Sequence, residues 1–134
     1  MRWPAAGLWL AGALVAGKAS AGTTEDIAAG LNMFDHGCTS CHDDSPYLVK
    51  ATGPALSGVV GRPVGSLAGF SYSPALQAAK RNGDIWTTGR LELFLANPGH
   101  MYPGTTMPWS FSADADRRRM VAYLKSLKSK PARF

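Results

Sequence analysis

The sequence predicts one all-α domain, about four helices joined by Gly- and Pro-rich loops. Two observations carry this. Apolar residues recur at helical spacing in segments bounded by recognisable caps and stops. The stretch from Gly53 to Gly69 holds Gly53, Pro54, Gly58, Gly61, Gly65 and Gly69, and reads as loops, not as a parallel sheet. Both cysteines, in addition, fall within Cys38-Thr39-Ser40-Cys41-His42.

Residues 1–21 read as a signal peptide. Arg2 gives a short positive end, Leu8 to Val15 an apolar run, and Ala19-Ser20-Ala21 a small-residue cleavage site that leaves Gly22 first in the mature chain. The apolar core is shorter than the roughly 20 residues a membrane span needs, and Lys18 interrupts it, so removal is expected over anchoring. No other segment suits a span. The expected compartment is extracytoplasmic, most simply a bacterial periplasm, and residues 22–134 have the length of one domain.

The first helix is capped by Thr23 or Thr24, carries Glu25 and Asp26 in its first turn, and sets Ile27, Leu31 and Phe34 on one face. Gly37 is expected to loosen the chain before the cysteines. Ser73-Pro74, a cap followed by a first-turn proline, starts a second helix that runs through Arg81 and stops near Gly83. A third starts around Thr87 or Thr88, carries Leu91, Phe94 and Leu95, and ends at Asn97-Pro98-Gly99. The last begins near Ser112 or Asp114, with Met120, Val121, Leu124 and Leu127 as its apolar stripe.

The formal charge of +5 and apolar fraction of 46% suit a folded globule with a soluble surface. Charge is unevenly distributed: acidic residues without Lys or Arg between Gly22 and Val49, and a basic run from Arg117 to Arg133. This asymmetry could steer an acidic partner, while most of the tail reads first as the solvated face of a terminal helix. No nucleic-acid module or stacking surface accompanies it. Gly58-Val59-Val60-Gly61 is not a dinucleotide fingerprint, and the chain has no P-loop string. The glycines more plainly let backbone approach a flat cofactor.

The C-x-x-C-H string reads as a c-type haem attachment. Thiol chemistry needs only two sulfurs, whereas a His directly after the second places a nitrogen ligand beneath a macrocycle held by two thioether links. A disulfide or thioredoxin-like redox pair is the competing reading, since export permits disulfides. Zinc would want a second cysteine pair.

With these residues the chain closely resembles the class I, mitochondrial-like cytochromes c, from Gly30 and Phe34 through the C-x-x-C-H string and Gly53-Pro54 to Tyr123-Leu124. Gly58-Val59-Val60-Gly61-Arg62, Gly69-Phe70-Ser71-Tyr72-Ser73, Trp86, Asn97-Pro98 and Pro103-Gly104-Thr105-Thr106-Met107 also match. The resemblance implies the class I cytochrome c fold wrapped around one haem c. Cys38 and Cys41 would be the attachments, His42 the proximal iron ligand with its other ring nitrogen bonded to the Pro54 carbonyl, and Met107 the sixth ligand. Tyr72 and Trp86 look like haem-propionate donors and Arg62 like the cation that offsets propionate charge, while Phe94, Thr105 and Trp109 complete the haem environment. Gly30 and Phe34 would meet Tyr123 and Leu124 where the first and last helices cross, Tyr123 as packing.

Met101 and His100 share the Pro/Gly-rich loop of Met107, but Met107 lies between Pro103-Gly104 and Pro108, which limit backbone freedom on both sides. Met33 and Met120 read as helix packing. There are departures from the family pattern. Tyr72 to Trp86 is three residues longer, Leu76 stands near a position often held by asparagine, Phe94 replaces a tyrosine, Thr106 a lysine, and Trp109 a phenylalanine-like shield. Loss of the lysine argues against the mitochondrial partner surface.

A His/Met pair leaves iron no open position, so the resemblance implies an electron-transfer protein and no enzyme: a soluble periplasmic one-electron carrier between a redox donor and acceptor. The alternative is a dedicated cytochrome subunit of a periplasmic dehydrogenase. A peroxidase would need a vacant or labile sixth site.

Overall fold

The computed structural model describes residues 22–49 and 51–130; the expected signal peptide lies outside the described residues. The helices are α1 (Thr24–Gly37), α2 (Pro74–Arg81), α3 (Thr88–Ala96), α4 (Pro98–Met101) and α5 (Asp114–Ser126). Among the described residues the sole β pairing is an isolated antiparallel bridge between Pro63 and Ile85, and no helix is long and apolar enough to cross a membrane.

Helix α1 begins with a reciprocal cap. The Thr23 hydroxyl accepts from the Asp26 N–H, and the Asp26 carboxylate accepts from the Thr23 N–H, both at 3.1 Å. Its inner face crosses α5 at Gly30, where an added Cβ would lie 2.3 Å from the Arg119 carbonyl oxygen. That close approach brings the Phe34 and Tyr123 rings to 5.4 Å between centroids. Phe34, Met120, Val121, Tyr123 and Leu124 are buried here together with Leu91 and Leu95 of α3.

A second apolar cluster, Val64, Ala79, Phe94 and Tyr102, joins α2, α3 and the segment after α4. The long loop reaches it through Gly65. Its φ of +69° is one a side chain rarely adopts, and a Cβ there would meet the Leu76 carbonyl oxygen at 2.6 Å.

The all-α architecture is as expected, with five helices for about four because Asn97-Pro98-Gly99 both stops and starts a helix. Asn97 ends α3, its side chain then accepts from the His100 N–H at 3.0 Å, and Pro98 takes the first position of the single-turn α4. Gly37, expected to loosen the chain, is the last helical residue of α1, and Cys38 caps it in right-handed conformation with its N–H donated to the Phe34 carbonyl. What Gly37 provides is room: a Cβ would lie 2.9 Å from the Trp109 ring. The start of α5 at Asp114 is as expected but lacks a side-chain cap, Ala113 holding the N-cap position.

Candidate functional site

The turn that ends α1 continues into the cysteine string. Thr39 donates to the Phe34 carbonyl at 3.2 Å, while Cys41 and His42 both donate to the Cys38 carbonyl, at 3.1 and 2.9 Å. One turn therefore fixes Cys38, Cys41 and His42 together. All three line a predominantly apolar cavity, and the two thiols are not joined in a disulfide. Burial, with Cys41 beside it, pushes the Cys38 thiol up to about 11, so it stays protonated at neutral pH.

His42 is oriented from behind. Its Nδ1 lies 2.7 Å from the Pro54 carbonyl oxygen, an acceptor only, so Nδ1 carries the proton and Nε2 keeps its lone pair. Gly53 backs the ring closely: a Cβ there would meet Cε1 at 2.5 Å and Nδ1 at 2.7 Å. The Gly53 N–H is itself held by the Cys41 carbonyl at 2.6 Å. Burial lowers the imidazole pKa, and the Pro54 carbonyl opposes that shift.

The rest of the wall comes from far along the chain. Arg62, Tyr72, Trp86, Phe94, Thr105, Met107 and Trp109 all line the same cavity, so every sequence-derived site residue is gathered at one place. Arg62 donates to the Ala55 carbonyl at 2.9 Å and the Ser57 carbonyl at 3.4 Å. Burial lowers its pKa, with Tyr72 nearby pulling the other way. The Tyr72 hydroxyl accepts the Leu67 N–H at 3.2 Å and retains its own proton to donate. Phe94 packs edge-on against Trp86 at 5.1 Å. Trp109 leans on Gly37 and Phe111 and stays 47% exposed, which places it where the cavity meets solvent.

The methionines separate clearly. Met107 lines the cavity; Met101 does not, and packs instead against the second apolar cluster, and His100 is exposed. Met33 packs against the first cluster, and Met120, buried in that cluster on α5, also lines the cavity from within the helix core.

Two polar features carry no sequence signal. The Tyr123 hydroxyl, expected only to pack, donates to Asp44 at 2.5 Å and so ties α5 to the loop just after His42. Asp84, Arg90 and Tyr102 form a closed triangle beside the second cluster. Neither pairing is local, so neither spacing nor periodicity reveals it.

The basic run is partly structural. Arg117 donates to the Phe111 and Ser112 carbonyls at 2.6 and 2.8 Å and pairs with Asp114, and Arg119 pairs with Asp116 and Asp26. Arg118, Lys125 and Lys128 are exposed and have no ion-pair partner among the described residues.

Comparison with known proteins agrees with this geometry. The sequence profile of the cytochrome c family matches residues 27–128. Cytochrome c-550 of Ancylobacter novellus is 36% identical over 107 residues, covering 76% of this chain and 95% of that protein. Among solved structures, ferricytochrome c2 of Rhodopseudomonas palustris superposes with a TM-score of 0.68 at 33% identity, covering 77% of this chain and 99% of the other. Cytochrome cH of Methylobacterium extorquens gives 0.66 at 34%, covering 75% and 98%. The chain therefore belongs to the class I cytochromes c, electron-transfer proteins that carry one covalent haem c and exchange electrons with redox partners.

Proposed function

We propose that the mature chain is a soluble periplasmic one-electron carrier whose haem is attached through Cys38 and Cys41 and ligated by His42 and Met107. The observation that carries this reading is the single cavity that holds two unpaired thiols, a His presenting Nε2, and Met107 while leaving out Met101 and His100. The donor set fits the group chemically: soft sulfur and imidazole nitrogen suit haem iron, and the apolar walls suit a macrocycle. When bound, the haem supplies an iron that gains and loses one electron.

The protein's part is to hold geometry. The Pro54 carbonyl fixes the His42 tautomer and, through its bond to Nδ1–H, opposes the loss of basicity that burial causes, while Gly53 supports the ring. The Tyr72 hydroxyl proton, the Trp86 indole N–H and the Arg62 guanidinium supply hydrogen-bond donors and positive charge for the propionates. Trp109 shields the cavity from water while leaving an aromatic edge exposed to a partner. The packed clusters on both sides keep these groups nearly fixed when the charge changes.

The test is recovery from the native periplasm. The reading expects a chain beginning at Gly22, a mass increased by one haem, a one-electron redox titration, and a monomer that reacts with more than one redox protein. A salt-resistant complex with one dehydrogenase would replace the free carrier with the subunit reading.

A further inference from the structure

The segment from Pro98 to Ser110 delivers Met107 to the cavity, yet it is weakly tied. Its backbone bonds are internal or return to the adjoining residue: Met101 N–H to the Asn97 carbonyl at 3.1 Å, Tyr102 N–H to Pro98 at 2.9 Å, Thr105 N–H to Tyr102 at 3.1 Å. At its far end the Phe111 N–H reaches the Leu95 carbonyl at 2.8 Å. Among the described residues, one group between these ends makes hydrogen bonds outside the segment and Asn97, the Tyr102 hydroxyl.

Its partners are well anchored. The Tyr102 hydroxyl donates to Asp84 Oδ2 at 3.1 Å and accepts from Arg90 Nη1 at 3.0 Å, while the same Arg90 nitrogen donates to the same carboxylate oxygen at 3.1 Å. Asp84 is held on its backbone by the Ala79 carbonyl, which accepts its N–H at 3.0 Å, and by the Val64 N–H, which donates to its carbonyl at 2.8 Å. Arg90 sits in the first turn of α3, its N–H donated to Thr87 Oγ1 at 3.1 Å. The Tyr102 ring is buried against Trp86 and Phe94, each 6.0 Å away between centroids, and Met107 packs on the same cluster. A hydroxyl bonded to a paired charge thus joins the Met107 segment to α3 and to the loop that carries Asp84.

The geometry points to Asp84, Arg90 and Tyr102 acting as a clamp, a set of positioning residues that holds the Met107 segment closed over the haem. This rests on the reading of Met107 as the sixth iron ligand. Releasing the clamp leaves the ring packed but lets the segment open more often, which frees the sixth position without unfolding the domain.

The test uses the haem-loaded full chain and Tyr102→Phe, which keeps the buried ring and removes the hydroxyl. Two readouts are followed in the ferric protein: the association rate of added cyanide and amide hydrogen exchange. The clamp predicts a cyanide rate roughly tenfold above the parent's, the effect of losing hydrogen bonds to charged groups. It also predicts faster exchange confined to residues 98–110, with α1 and α5 unchanged. Asp84→Asn should act likewise, and the double variant should stay within about twofold of Tyr102→Phe because the residues act as a unit. Should Tyr102→Phe fail to load haem, Asp84→Asn carries the same readouts and limits.

A cyanide rate within about twofold of the parent's overturns the clamp. So does acceleration of α1 and α5 exchange equal to that of the segment, which would mark a merely structural role. Met107→Ala separates this result from the ligand reading. If it abolishes the ferric sulfur-to-iron absorption while Tyr102→Phe changes nothing, the clamp alone falls; if it keeps that absorption, the ligand assignment falls and the clamp with it.

Discussion

Replacing Gly30 with Ala tests how the fold is held around its site. A Cβ on Gly30 would stand 2.3 Å from the Arg119 carbonyl oxygen, 2.9 Å from its carbon and 2.6 Å from the Tyr123 Cβ. These are mostly backbone atoms, so a rotamer change cannot relieve the clash, and α1 and α5 must separate by roughly 1 Å. Overpacking of this kind costs about 3 kcal/mol at the upper end. Replacing a helical Gly with Ala returns about 1 kcal/mol of helix propensity. The net loss is about 2 kcal/mol, which for a domain of this size lowers the midpoint of thermal unfolding by roughly 10 °C. Gly89→Ala, in the first turn of α3, is the control, because nothing lies within 4 Å of its added Cβ. It should be neutral or raise the midpoint slightly. Thermal unfolding of the haem-loaded variants followed by circular dichroism decides it, and equal stabilisation by both substitutions would refute the close crossing.

Tyr123→Phe removes the bond to Asp44 and should cost about 2 kcal/mol at pH 7 by denaturant unfolding. Burial first, then Asp44, raises the Tyr123 pKa above its ordinary value of 10.0, so its contribution is fully present below pH 10 and is lost as pH climbs from there towards the folded value. The gap between parent and variant should therefore shrink above pH 10; a constant gap would contradict the account. Electron exchange with an acidic redox partner should slow about tenfold or more as salt rises, because Arg118, Lys125 and Lys128 are exposed and have no ion-pair partner among the described residues. Stopped-flow rates independent of ionic strength with every physiological partner would count against it.

What the sequence makes legible is local. Ser73-Pro74 starts α2 and Thr87 caps α3 because caps act within one turn. The C-x-x-C-H string is readable for the same reason, its residues sharing a single turn. Met107, set between Pro103-Gly104 and Pro108, lines the cavity, and Met101, six residues earlier, falls outside it. Asn97-Pro98-Gly99 carries a stop and a start signal at once, and only tertiary packing shows that both are used. Gly37 looks like a hinge by composition, but its lack of a side chain serves Trp109, 72 positions away. Tyr123 and Asp44 are 79 residues apart and Tyr102 and Asp84 are 18 apart. Such pairings depend on how loops return to helices, which no periodicity encodes.

The proposed ligation holds a haem between His42 and Met107 in one cavity. Near-infrared absorption of the ferric protein tests it most directly, comparing the parent with Met107→Ala and Met101→Ala. Ligation by Met107 predicts a sulfur-to-iron charge-transfer absorption that disappears in Met107→Ala, with the iron then open to added ligands, and survives in Met101→Ala, because Met107 lines the cavity and Met101 packs outside it. An absorption that survives in Met107→Ala and vanishes in Met101→Ala would contradict the account.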